Sequence, residues 1–355
     1  MSGLIGTEPV GGRMGQDLAA TDASVVELVE RLIGGYRHTQ LLHAAAALGI
    51  PDRLAAGAMN AQELAPVVSA DVTALYRLLR ALSTLGVFKE NADGRFAMTP
   101  AAQLLRTDAK GSVAGKLLSY GQPWWWGAWQ HLTECVRTGR SAFDLQHGTS
   151  LFQFLDERPD AAAAFHANMA SMTAAMAPVI AEVVELEPGE CIADIGGGRG
   201  VLMAALLNRH PGTRGILVEQ RGVIEDARRY LEDVGLGSRC EVQEGDIFGV
   251  IDCQADVFLL KEVIHDWNDE QAVQVLRNCR RSMRPGARLV LAERLVGPGP
   301  GSSEAALIDI VMLVMTGGLE RTEQQYRALL NAARFELVKA APTGAGLALL
   351  TAIAC

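Results

Sequence analysis

A chain of 355 residues, 49% apolar and 21% charged, has enough material for two buried cores, which excludes a largely disordered protein. The net charge of −9 argues against nucleic acid as the main partner, because neutralising phosphates requires concentrated Lys and Arg. Six scattered cysteines with no Cys-x-x-Cys pair exclude a disulfide framework and a zinc site, and they fit reduced thiols in a cytoplasm.

Residues 1–20 hold five glycines and no apolar run long enough for a signal peptide, which predicts a flexible tail and no export. From Asp22, with Asp22 or Ser24 as cap, Val25, Val26, Leu28, Val29, Leu32 and Ile33 give a helix with a broad apolar face. Gly34-Gly35 is read as its end. A second helix covers about 38–47, and a turn follows at 52–56. Next come a short helix at 61–67, a longer one at 72–85 and a hairpin, 87–90 with 95–98, joined by Asn91-Ala92-Asp93-Gly94. Helix, helix and hairpin resemble a winged helix, which raises the rival function of a ligand-sensing DNA-binding regulator. On the would-be recognition helix only Arg77 and Arg80 are basic, while Leu75, Leu78, Leu79, Ala81 and Leu82 are apolar. That helix is therefore expected to bury its apolar face against a partner subunit.

A helix start at Thr99-Pro100 opens a broken helical stretch in which Trp124, Trp125, Trp126 and Trp129 fall within six residues. Such a cluster is costly to leave in water, and it predicts either a core or subunit contact or a wall for a flat aromatic ligand. Phe165, Met169, Met172 and Met176 recur at helical spacing, the mark of a core stripe or a ligand wall. Residues 305–315 are apolar but contain Asp309 and fall short of the ~20 residues that cross a bilayer, so a buried helix is expected and no membrane span.

Beyond residue 180 strands and helices alternate. The stretch Glu190 to Gly200, E-C-I-A-D-I-G-G-G-R-G, reads as a short buried strand with Asp194 near its end, a glycine turn and then a helix from Val201 to His210. Its spacing is GxGxG; Val201 stands where a dinucleotide fingerprint needs glycine. Asp194 would oppose a pyrophosphate but suit a cofactor carrying an ammonium and a sulfonium, such as S-adenosylmethionine. The same residues also suit a plain strand-to-helix turn. Strands are predicted at 214–219, 240–244, 257–261 and 288–294, with helices at 223–234 and 269–282. Glu219, 21 residues past Gly198, is placed to accept from ribose hydroxyls, and Asp246 in E-G-D-I-F to accept from an adenine amino group. Two closing strands, 336–341 and 347–353, differ from an ordinary nucleotide-binding sheet and suit a methyltransferase. In L-L-K-E-V-I-H-D-W the fourth strand brings Lys261 and His265 to the cofactor edge, with Glu293 and Glu320 as acids able to orient the imidazole.

D-I-G-G-G-R-G, E-G-D-I-F, L-L-K-E-V-I-H-D-W, V-L-A-E-R and G-G-L-E-R-T, in that order, resemble the S-adenosylmethionine-dependent O-methyltransferases of the caffeic acid type, in their bacterial natural-product branch. The resemblance implies a class I, Rossmann-like α/β methyltransferase domain at 181–355. It also implies a helical, winged-helix amino-terminal domain at 21–180 that forms a homodimer and contacts the substrate. It implies that Asp194, Gly196 and Gly198 surround the methionine end of the cofactor, Glu219 the ribose, and Asp246, Ile247 and Lys261 the adenine region, with Trp267 packing nearby. His265 matches the catalytic base, Glu293 and Glu320 its flanking acids, and Phe165, Met169 and Met172 substrate-pocket positions; Met315 and Trp129 are added to that expected wall. The implied reaction methylates a phenolic hydroxyl of an aromatic, polyketide-like or quinone acceptor, releases S-adenosylhomocysteine and requires no metal. Relatives repurposed for hydroxylation, decarboxylation or rearrangement define the alternative.

Overall fold

The computed structural model describes residues 23–297 and 303–355; the expected tail and the Asp22 cap lie outside them. Helices Ala23–Ile33 and Gly35–Ala47 are joined at Gly34. Gly34 keeps right-handed helical torsions (φ −74, ψ −8) and its N–H donates to Glu30 O, so the glycine pair joins the helices closely and the second begins earlier than its apolar spacing indicates. The turn expected at 52–56 is largely helix, Ile50–Leu54, started by Pro51 in the first turn, where its missing N–H costs nothing. Helix Ala61–Val67 begins with a capping box between Asn60 and Glu63, and Val72–Thr84 with the Asp71 carboxylate on Ala74 N–H. Strands β1 (Phe88–Glu90) and β2 (Phe96–Met98) follow as an antiparallel pair.

The apolar face of Val72–Thr84 does not await a partner: Leu75, Leu79 and Leu82 are buried with Leu64, Phe88 and Phe96 in a core of this region itself. A denser run of apolar side chains left in solvent belongs to Ala23–Ile33, where Leu32 and Ile33 are 68% and 63% exposed. The tryptophan cluster divides. Trp124 and Trp125 are buried with Phe143 and Phe154 against Val314 and Met315, the end of helix Ser303–Met315, while Trp126 and Trp129 are half-buried. The expectation of a buried helix holds mainly for that end, since near its start Ala305 is buried but Leu307 is 70% exposed.

The carboxyl-terminal half is one seven-stranded sheet of β3 (Cys191–Ile195), β4 (Arg214–Glu219), β5 (Cys240–Glu244), β6 (Val257–Lys261), β7 (Arg288–Glu293), β8 (Phe335–Pro342) and β9 (Ala348–Ala354). Its order is β5-β4-β3-β6-β7-β9-β8, parallel from β5 to β7 and antiparallel at the closing pair. The chain winds outward from β3 to β5 and returns to β6, so the winding reverses beside β3 and leaves a crevice beyond the carboxyl ends of the strands. One continuous helix, Pro159–Val183, crosses the boundary expected at 180. Ala177, Ile180 and Ala181 at its end pack with Leu206 and Leu207 of the helix Val201–Arg209, which flanks the sheet, while its earlier turns face the crevice. No helix among the described residues is long and apolar enough to cross a membrane.

Candidate active site

The crevice holds a cavity of about 350 Å³. One edge is built by the turn after β3. Gly196, Gly198 and Gly200 have φ of 72, 57 and 83, a left-handed backbone that side chains resist, which explains the GxGxG spacing. A Cβ at Gly197 would stand 2.7 Å from Asp194 Oδ2, so that glycine is required by contact rather than torsion. The Gly198 N–H donates to Glu219 Oε2 at 2.9 Å, tying the turn to the end of β4. Asp194 is 1% exposed, and its Oδ2 has no partner among the described residues. Burial and the nearby Glu219 raise its carboxyl to about 7, with Lys261 pulling the other way. Burial likewise raises Glu219, against the N–H groups of Gln220 and Gly198.

Ile247, Lys261 and Trp267 also line the cavity. Asp246 does not; its Oδ1 accepts from Phe248 N–H at 2.9 Å and closes the turn that presents Ile247 and Phe248. The Lys261 ammonium donates to Thr173 Oγ1 at 3.1 Å and lies 2.5 Å from Glu262 Oε2, linking the end of β6 to Pro159–Val183.

His265 sits on the short 3₁₀ turn Ile264–Asp266 after β6, with Nδ1 2.8 Å from Glu320 Oε1 and Nε2 3.9 Å from Asp266 Oδ1. Burial alone would lower its pKa, but Asp266, the Glu320 hydrogen bond and Glu293 outweigh it and raise the imidazole to about 10. Asp266 is itself pushed up to about 6 by burial, against the pull of His265. Glu293, fully buried and raised to about 7 chiefly by burial, acts on the backbone: Oε1 accepts from Val263 and Ile264 N–H at 3.2 and 2.9 Å. One ligand atom from each of His265, Glu293 and Glu320 falls within 4.8 Å of the others, a metal-like spacing; the His265 bond occupies Glu320 Oε1 and the backbone donors occupy Glu293 Oε1, while the Oε2 atom of each acid has no hydrogen-bond partner among the described residues.

Two further residues fix this turn. Arg321, fully buried, donates to the carbonyls of Ile264 and Trp267 and to Asp269 Oδ1. Gly318 lies so close that a Cβ there would be 2.0 Å from the His265 carbonyl oxygen.

At the other end, Phe165, Met169, Met172 and Met315 line the cavity as expected from their spacing and chemistry. Trp129 does not; Trp125 takes that place, its ring stacked on Tyr120 at 4.6 Å. Glu262 and Arg294 complete this end as an ion pair at 3.0 Å. Burial works against ionising Glu262, but Lys261, His265 and Arg294 hold it down at about 2. Sequence reasoning missed Tyr120, Glu262, Asp266, Arg294 and Arg321; Trp125 belongs to the tryptophan cluster offered as a possible ligand wall, from which Trp129 was singled out. The signal for four of them was adjacency: Glu262 follows Lys261, Asp266 follows His265, Arg294 follows Glu293 and Arg321 follows Glu320.

Sheet order, closing antiparallel pair, glycine turn and buried carboxylates define a class I, Rossmann-like methyltransferase. Residues 129–336 match the model of the O-methyltransferase domain, and residues 30–108 that of the O-methyltransferase dimerisation domain. The mitomycin biosynthesis 6-O-methyltransferase of Streptomyces lavendulae is 38% identical over 92% of this chain and 94% of its own. The structure of the mitomycin 7-O-methyltransferase MmcR superposes with a TM-score of 0.89 at 37% identity, covering 94% of this chain and 98% of that one. An O-methyltransferase from neocarzinostatin biosynthesis, solved with S-adenosylmethionine and 2-hydroxy-5-methyl naphthoic acid, gives 0.79 at 27% identity over 90% of this chain and 96% of that one. The chain belongs to the S-adenosylmethionine-dependent O-methyltransferase family, whose members need no metal.

Proposed function

We propose that the protein methylates a phenolic hydroxyl of an aromatic, polyketide-like or quinone natural product, with His265 as general base. The observation that carries this reading is the buried imidazole at the cavity wall, fixed at Nδ1 by Glu320 and raised to about 10. An ordinary imidazole near ~6.5 facing a phenol near ~10 is mismatched by roughly 5 kcal/mol. In this cluster the mismatch closes, so proton transfer from the phenol is close to balanced. The acceptor class is supported by the relatives, which include enzymes named for mitomycin and one solved with a naphthoic acid.

The residues present fit the cofactor. The orphaned, buried Asp194 Oδ2 suits an ammonium, and Glu219 at the end of β4 suits ribose hydroxyls. Gly196 and Gly198 leave room beside them, Ile247, Lys261 and Trp267 wall the adenine region, and Asp246 holds the turn below it. When bound, S-adenosylmethionine supplies an electrophilic methyl group on a sulfonium and becomes S-adenosylhomocysteine. The protein's own work is to exclude water, hold the hydroxyl in line against Phe165, Met169, Met172 and Met315, and take its proton at His265 Nε2. Glu320 stabilises the imidazolium, and Glu293 holds the turn that carries it. The intact cluster favours methylation over the repurposed chemistries.

We take residues 21–180 as the acceptor-contacting half and 181–355 as the cofactor half. A homodimer through the amino-terminal half is supported by the dimerisation-domain match and by the exposed Leu32 and Ile33; light scattering at twice the chain mass tests it. The six free cysteines suit a cytoplasmic protein.

Labelled S-adenosylmethionine incubated with hydroxylated quinones, anthracyclines, phenazines and naphthoic acids is expected to give a labelled ether. No product from any of them would refute the acceptor class. Because the imidazole carries a proton at neutral pH, kcat/KM should rise about tenfold per pH unit up to the lower of the imidazole and phenol pKa values. A rate independent of pH between 6 and 8 would refute the base assignment.

A further inference from the structure

We infer that Arg294, paired with Glu262 at the acceptor end of the cavity, anchors a carboxylate on the aromatic acceptor, so that the substrate is a hydroxylated aromatic acid. The inference rests on reading this end as the acceptor site. Three observations lead to it. First, the carboxylate of Glu262 is shared, with Oε2 at 2.5 Å from Lys261 and Oε1 at 3.0 Å from Arg294 Nη2, so the guanidinium does not hold it alone. Second, Arg294 Nε is buried without a hydrogen-bond partner among the described residues, although its side chain is only 11% exposed. A guanidinium presents donors in a planar fork that matches a carboxylate, and an unused buried donor is costly unless a ligand takes it. Third, Glu262 holds a left-handed backbone (φ 51), a strained position for a side-chain-bearing residue that persists where its surroundings over-determine it.

The pair is also oriented. Arg294 Nη1 lies 3.4 Å from where a Cβ on Gly346 would stand, so the closing hairpin backs the guanidinium. Tyr120 and the stacked Trp125 supply a flat apolar surface at the same end of the cavity, and the Tyr120 hydroxyl feels both Glu262 and Arg294. Arg294 and His265 line the same cavity, so an aromatic ring laid there would set its carboxylate at the fork and its hydroxyl toward His265.

The test uses the full chain loaded with S-adenosylhomocysteine and compares, by calorimetry, a hydroxynaphthoic acid with the naphthol that lacks its carboxylate. Wild type should bind the acid at least about tenfold more tightly, the scale of one charge-assisted pair. Arg294→Met should erase that ratio. Glu262→Gln, which frees the guanidinium, should increase it. A merely structural pair would instead weaken both ligands in both variants and leave the ratio unchanged, which would overturn the inference. So would failure of the acid to bind wild type, or loss of S-adenosylhomocysteine affinity in Arg294→Met with the ratio intact, which would assign the guanidinium to the cofactor. Because the readout is binding, it stands apart from the turnover experiment that tests methyl transfer.

Discussion

At the cofactor edge the groups facing the cavity come largely from one run of chain, Asp194 to Val201, joined by the ends of β4 and β6; at the acceptor end they come from Tyr120, Trp125, Met169, Glu262, Arg294 and Met315, segments far apart in sequence. The first is shaped by backbone torsion: glycines in left-handed conformation and an N–H to a carboxylate. The second is shaped by packing, with Tyr120 on Trp125 and Glu262 between two cations. The two ends should therefore fail differently. Changes at the edge act on cofactor affinity, and changes at the far end or the base cluster act on turnover and acceptor choice.

The sharpest separation is expected from His265→Gln, with turnover down about 10²–10⁴-fold and S-adenosylhomocysteine affinity within about twofold of wild type. A parallel loss of affinity, measured by calorimetry, would merge the two ends. Next is Gly318→Ala, which drives a Cβ into the His265 carbonyl and should cost roughly 2–4 kcal/mol in thermal unfolding while displacing the base. A variant with wild-type melting and turnover would contradict the packing described for this turn.

Asp194→Asn should act on the other side of the comparison. The folded-state pKa of Asp194, about 7, is above that of a free carboxylate, so its ionisation is resisted by folding: the associated stability is complete below about 4 and is lost as pH rises through 7. Ligand-free Asp194→Asn should therefore be more stable than wild type at pH 8, by on the order of 2 kcal/mol. Its cofactor affinity should fall about tenfold or more, and the tightening of wild-type binding between pH 6 and 8 should vanish. A variant less stable than wild type at pH 8 would show that the carboxylate is not strained by burial. The smallest effect is expected from Met172→Ala, an acceptor KM raised about five- to tenfold with cofactor affinity unchanged, since loss of one partly buried apolar contact costs roughly 1 kcal/mol.

What the sequence made legible follows the same division. Strands β4, β5 and β6 have the bounds that their apolar runs and turn residues indicate, because short buried strands are local patterns. The glycine turn and His265 were readable for the same reason. Where partners decide, the sequence is silent: nothing local distinguishes Trp125 at the cavity from Trp129 outside it, or Asp246 bonding its own turn from Asp246 facing a ligand. The leucines of Val72–Thr84 show amphipathicity but not which surface covers them, and they turned inward. Arg294 and Arg321 look like surface arginines until the acids and carbonyls they meet are known.

The helix Pro159–Val183 carries Met169 on the acceptor wall and Ile180 in the sheet's flanking core. At about 1.5 Å per residue it is a ruler of roughly 16 Å between them, and at about 100° per residue it is also a compass. A single residue inserted between the two would leave every local propensity intact yet swing Met169, Met172 and Phe165 as a block toward another bearing. The gauge of the acceptor chamber is thus written in the count of residues along one rod as much as in their identities.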